Sequence, residues 1–143
     1  MIFLIASCGE KRELKEKYND QLKGDIHSSY IELNNKSDYF KSKFLAVFEV
    51  GFVKDTVTLF KNNLPDTSIV LTTIESLGYA GFLELNRKYL DKYSIFISGY
   101  NDTIKITDNN SKYIYIQYFG PQNTDKKSRV LQTLYSNKER KYE

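Results

Sequence analysis

The sequence predicts a mostly β domain: a seven-stranded antiparallel β-sandwich, with a small β-barrel as the alternative, preceded by a short N-terminal helix or tether. Three observations lead there. Tyr (12) and Phe (9) are abundant beside many β-branched residues, and such side chains favour a pleated, half-buried surface. Between Phe44 and Phe119 short apolar or alternating runs are separated by Gly, Asn, Asp and Pro, at the spacing of all-β folds. The chain has 143 residues, 41% hydrophobic and 27% charged, which suits one domain with a core of its own.

The elements follow in chain order. Residues 10–23 are polar, with Leu14, Tyr18 and Leu22 at a four-residue spacing, so a short helix or a tether is expected, ended by Gly24. Ile26 to Leu33 is a candidate strand with Asn34-Asn35 as its turn. Phe44–Val50 is apolar enough for a buried strand, and Thr56–Phe60 alternates. Asn62, Asn63 and Pro65-Asp66 mark a turn before the β-branched run Ser68–Ile74. Gly78 and Gly81 punctuate, and Phe82–Leu85, Tyr93–Ile97 and Thr103–Ile106 follow as short strands. Asp108-Asn109-Asn110 turns into Lys112–Phe119, the longest alternating run. Val130, Leu131 and Leu134 fit a helical turn or an edge strand. Four segments are thus expected: 1–8, 9–24 as tether or helix, 25–135 as the β domain, and 136–143 as a charged tail.

Net charge is +3 and the basic residues are interspersed with acids, too weak a field for nucleic-acid binding. From Lys126 to Glu143 the chain carries Lys126, Lys127, Arg129, Lys138, Arg140 and Lys141, with Asp125, Glu139 and Glu143 among them, so a solvated, fraying end is expected, with an anionic lipid or another acidic partner as the alternative. No apolar run approaches the roughly 20 residues of a membrane-spanning helix.

Catalytic motifs are wanting. His27 is the single histidine and Cys8 the single cysteine, so neither a disulfide nor a zinc cluster can be built from those residue types alone. A Ser-His-Asp arrangement would need His27 as its base, and a surface or strand-end histidine is the simpler account. Glu75, Glu84, Asp91 and Asp102 are carboxylates without a spacing that singles out a pair. Gly78-Tyr79-Ala80-Gly81 lacks the Lys and the third Gly of a phosphate loop, and Asp108–Ser111 is too short for a calcium loop. No catalytic residue, metal ligand or cofactor is therefore assigned. One strand carries a binding expectation. Alternation puts Tyr113, Tyr115, Gln117 and Phe119 on one face and Ile114, Ile116 and Tyr118 on the other. The isoleucine face belongs to the core. Tyr113 and Tyr115 either present phenol rings to a glycan or peptide, or pack under a loop or the N-terminal segment with their hydroxyls reaching water.

Met1–Ser7 is apolar and ends in small residues before Cys8, after which Gly9-Glu10-Lys11-Arg12 turns abruptly hydrophilic. Ile5-Ala6-Ser7-Cys8 resembles the lipobox of bacterial lipoproteins. The resemblance implies diacylglycerol attachment at Cys8, cleavage before it, and a membrane partner reached through that lipid. Seven residues precede Cys8 and none is charged, whereas a signal peptide has a positive n-region and about 7–15 apolar residues. A start upstream of Met1 would supply them. The alternative is a short buried strand, Ile2 to Ala6, with Cys8 as a small core residue.

Phe44 to Tyr118 resembles the carboxypeptidase-regulatory-like, or transthyretin-like, β-sandwich. An opening strand is followed by the alternating Val57-Thr58-Leu59-Phe60, then Thr72-Thr73 before Gly78 or Gly81, then Phe82-Leu83-Glu84-Leu85. Next come Tyr93-Ser94-Ile95-Phe96-Ile97 with Gly99-Tyr100, and the closing strands Thr103–Ile106 and Tyr113–Ile116. Asp91 stands where the family usually has Gly, and residues 10–43 and 121–143 have no counterpart. A lipocalin-like barrel is the runner-up. The resemblance implies a binding, spacer or interaction module rather than an enzyme. Together the two resemblances give a non-catalytic domain of the bacterial cell envelope, lipid-anchored, with a protein or glycan as a further partner. The rival expectation is a cytoplasmic immunity- or antitoxin-like protein that binds and neutralises a protein.

Overall fold

The computed structural model describes residues 14–18 by their backbone, and residues 38–120 and 125–142 with side chains. These residues form a β-sandwich of two open sheets. The elements are β1 (Leu14–Tyr18), a one-turn helix α1 (Tyr39–Ser42), β2 (Lys43–Phe48), β3 (Asp55–Lys61), β4 (Leu64–Leu71), β5 (Gly81–Asn86), β6 (Tyr93–Ile97), β7 (Asp102–Lys105), β8 (Tyr113–Phe119) and β9 (Val130–Ser136). One sheet has the order β1-β9-β8-β2-β5 and the other β4-β3-β6-β7. Each sheet keeps two edges, so neither closes into a barrel.

The pairing departs from an all-antiparallel sandwich at two places. β8 runs parallel to β2, and β1 runs parallel to β9. Parallel neighbours need a long connection, and the β3–β7 stretch provides one between β2 and β8. β2, flanked by β5 and β8 and covered on both faces, is wholly buried from Phe44 to Phe48. That is why its sequence reads as a continuous apolar run rather than an alternating one.

Several local expectations are refined. Asn62 and Asn63 alone make the β3–β4 turn, both at positive φ, as a two-residue hairpin loop requires. Pro65 therefore lies inside β4. β4 is an edge strand, where a missing N–H is tolerated, and the register shifts beside it between Leu59 and Phe60. Val130–Ser136 is a full strand between β1 and β8, neither a helical turn nor an edge. The expected helix over 10–23 is a strand at Leu14–Tyr18, added to the otherwise open side of β9, which satisfies backbone groups that would be unpaired there. Ile2–Ala6, Cys8, Leu22, His27 and the candidate strand Ile26–Leu33 lie outside the described residues.

The main core lies between the sheets. Phe44, Ala46, Phe48, Leu85, Ile114 and Ile116 from one sheet meet Val57, Leu59, Ile95, Ile97 and Ile104 from the other. Strand direction alternates along the chain from β2 to β9. One end of the sandwich therefore carries the ends of β2, β4, β6 and β8 and the starts of β3, β5, β7 and β9. It is called the Phe119 end below, and the opposite one the Asn62 end.

At the Asn62 end Arg87 acts as a clamp. Its guanidinium donates to the carbonyls of Phe40 (2.9 Å), Asn109 (2.7 Å), Ser111 (2.9 Å) and Lys43 (3.2 Å), and it lies over the Phe44 ring. It so joins α1, the start of β2 and the β7–β8 loop. Lysine has neither the planar fork nor enough donors in the right directions. Arg87→Lys is expected to lower stability by about 1–3 kcal/mol, read as a lower midpoint in urea; a wild-type midpoint would contradict the clamp.

Candidate functional site

The Phe119 end is built by four chain segments stitched together through hydroxyls. Thr73 Oγ1 donates to the Glu49 carbonyl (2.7 Å) and accepts from the Phe52 N–H (3.1 Å), and Thr72 Oγ1 accepts from the Lys54 N–H (2.8 Å). The β2–β3 loop is thereby fixed to the end of β4. Gly51, at φ +100°, passes so close to β8 that a Cβ would meet Tyr118 Cβ at 2.7 Å, so only glycine fits there. Beneath this loop Tyr100 and Tyr118 stack face to face, with centroids 3.5 Å apart, and Phe52 meets both edge-on. Tyr118 donates to Asp102 Oδ2 (2.8 Å), and Tyr100 donates to the Gly51 carbonyl while accepting from Arg129 Nη1 (2.8 Å).

A second lock sits beside them. Asp55 is buried, accepts the Val53 N–H at Oδ2 (2.8 Å), and pairs through Oδ1 with Lys126, whose ammonium also lies over the Tyr100 ring. Gly99 abuts this pair, and a Cβ there would fall onto Asp55 Oδ1. Gly99-Tyr100 is thus a packing device: the glycine makes room for the ion pair and the tyrosine stacks under Gly51.

Above these groups a cleft of about 350 Å³ opens to solvent, lined among others by Val53, Thr73, Glu75, Phe119 and Arg129. Its walls are mixed, with exposed apolar side chains beside one carboxylate and one guanidinium. The Thr73 hydroxyl is engaged in the loop bonds already given, and the two tyrosyl hydroxyls in theirs. Such a surface suits contact with an amphipathic partner.

The residues singled out in the sequence fall elsewhere. Tyr113 and Tyr115 are not an exposed platform; both are buried, in a second apolar cluster on the outer face of the five-stranded sheet with Leu45, Val47, Leu134 and Tyr142. Their cover is the segment after β9, which the charge pattern presents as a solvated tail. Ser136 is fully buried, the Tyr115 hydroxyl donates to the Lys138 carbonyl (2.7 Å), Arg140 lies over the Tyr115 ring, and Tyr142 packs on Tyr79. Phe40 of α1 covers Tyr113.

The physical reason is Glu49. Its carboxylate is buried, and Arg140 Nη1 reaches both of its oxygens at 2.6 Å while the Tyr142 hydroxyl donates to Oε2. Burial pushes the Glu49 carboxyl above its ordinary range, and Arg140 and Tyr142 oppose that rise without cancelling it. Burial raises the phenols of Tyr115 and Tyr142 well above theirs and Tyr79 to about 12, so all three remain hydroxyl donors near neutrality.

Of the candidate carboxylates, Asp102 is bound to Tyr118, Glu84 accepts from Tyr39 and faces Lys43, Asp91 lies exposed beside Lys92, and Glu75 borders the cleft. They occupy four different elements and have separate surroundings. Cys8 and His27 are outside the described residues. Among the described residues no cluster of three or more His, Cys, Asp or Glu side chains is placed to hold a metal ion. Phe119 shows in the sequence only as a member of the Tyr113 face, and nothing local marks Val53 or Arg129 as its partners; only the strand order brings the three together.

No family model, curated protein or solved structure matches the chain.

Two predictions concern the locks. Arg140→Ala leaves a buried carboxylate without its cation and should cost about 3–5 kcal/mol, whereas Glu49→Gln with Arg140→Met should cost clearly less. Urea unfolding of both variants checks this, and equal losses would contradict a buried ion pair. Gly99→Ala should destabilise by about 2–3 kcal/mol through the displaced Asp55–Lys126 pair; the same melt at wild-type stability would contradict that packing.

Proposed function

We propose that this protein is a non-catalytic binding or structural accessory domain of the bacterial cell envelope, anchored by a lipid on Cys8. The observation that carries the non-catalytic part is how the buried chemistry-bearing groups are used. Glu49, Asp55 and Asp102 bond to Arg140 and Tyr142, to Lys126, and to Tyr118 respectively, and each bond closes one piece of the sandwich. Catalytic acids and bases work where they face a reacting group; these face neighbouring strands and loops. The cleft at the Phe119 end, with its apolar rim, supports a contact role.

The order of β2 to β8 supports placing the domain with carboxypeptidase-regulatory-like sandwiches. An opening strand, the alternating β3, the strand running to Thr72-Thr73, the Phe82 strand, the Tyr93 strand followed by Gly99-Tyr100, and two closing strands succeed one another as that resemblance implies. The lipobox-like Ile5-Ala6-Ser7-Cys8 supports the anchor.

Metabolic labelling with an alkyne fatty acid tests the anchor, using the gene with its native upstream DNA in a bacterial host. Wild-type protein should carry the label and sediment with membranes, and Cys8→Ser should lose both. Unlabelled wild-type protein that retains Met1 by mass spectrometry would contradict the anchor and favour the cytoplasmic partner-binding alternative.

A further inference from the structure

We propose that the Phe119 end of the sandwich is a membrane-contact face, laid against the phospholipid surface; this rests on the lipid anchor at Cys8 proposed above. Three large apolar side chains are exposed at this end, Val53 (59%), Ile74 (50%) and Phe119 (45%). They come from three separate segments: the β2–β3 loop, the stretch after β4, and the end of β8. Val53 and Phe119 line one cleft, and Ile74 sits between its lining residues Thr73 and Glu75 in the chain, so this end leaves apolar area that a lipid surface would cover.

The chain's path selects this end. β1 begins at Leu14, which pairs with Leu131, and Leu131 pairs with Tyr118 next to Phe119. Leu14, the first described residue, thus lies at the Phe119 end. Cys8 is six positions earlier, and six residues reach at most roughly 20 Å when fully extended. A lipid on Cys8 therefore tethers the domain by the start of β1, which lies at the Phe119 end.

Charge has a secondary part. Lys54, Lys127 and Arg129 lie at this end, with Glu75 and Asp125 among them and Lys126 paired to Asp55. The near balance of signs makes apolar contact the main attraction, so little weakening by salt is expected.

The test uses two properties of the full chain: it has no tryptophan, and Cys8 is its one cysteine. Single-tryptophan variants Phe119→Trp, Leu64→Trp and Ser68→Trp place a probe at the Phe119 end, the Asn62 end and the middle of the outer face of the four-stranded sheet. Each full-length variant is coupled through Cys8 to maleimide-headgroup lipid, in phosphatidylethanolamine–phosphatidylglycerol vesicles with or without brominated acyl chains. The Phe119→Trp emission should shift to the blue and lose roughly half its intensity to bromines in the hydrocarbon core, while the other two should not change. Equal quenching at all three positions, quenching only at Leu64 or Ser68, or none would overturn the proposal. So would a folded chain whose Cys8 does not couple, because the cysteine would then be closed off from the bilayer. Should the Phe119→Trp variant fail to fold, Val53→Trp takes its place with the same expected outcome. The result does not depend on acylation in cells, so loss of the anchor and loss of the contact face are told apart.

Discussion

The interaction on which the rest of this structure depends is the pairing of Glu49 with Arg140 and Tyr142. A carboxylate at the end of the most buried strand would be severely disfavoured without a cation and a donor at its oxygens. Both arrive from a segment about ninety residues later in the chain, so the last residues must cross the outer face of the five-stranded sheet to reach it. In crossing, they cover Tyr113 and Tyr115 and turn a half-exposed sheet into the middle layer of the molecule. β2 consequently has apolar neighbours on both faces, and its parallel pairing with β8 is closed in on both sides.

The two ends of the sandwich are held differently. At the Asn62 end one guanidinium, that of Arg87, gathers four carbonyls. At the Phe119 end the fastening is spread over threonine hydroxyls, a tyrosine stack and the Asp55–Lys126 pair. These internal bonds leave the apolar rim of the cleft facing outward. Rigid backbone beneath an exposed apolar rim is what a contact surface requires, since little ordering is needed when a partner arrives.

Much of the fold is legible in the sequence wherever one physical rule acts alone. β3 and β6 show in their alternation and β2 in its unbroken apolar run, and the Asn62-Asn63 turn is marked by residues that tolerate positive φ. Legibility fails where a distant partner decides. Pro65 argues against a strand until β4 is known to be an edge. Tyr113 and Tyr115 alternate correctly, but alternation cannot tell a solvent face from one covered by another segment. The charges after Ser136 look like a solvated tail because nothing near Arg140 in sequence indicates the buried Glu49. The site was the least legible part, since Val53, Phe119 and Arg129 come to line one cleft only through strand order.

The most direct measurement of this account is an NMR study of Arg140 in the full chain. With the guanidinium 4.6 Å from the Tyr115 ring centroid and Tyr142 on Tyr79, the Arg140 side-chain protons should be displaced upfield by ring currents, with cross-relaxation to Tyr115 and between the Tyr79 and Tyr142 rings. Random-coil shifts and fast amide exchange through residues 137–142 would contradict a C-terminal segment locked onto Glu49.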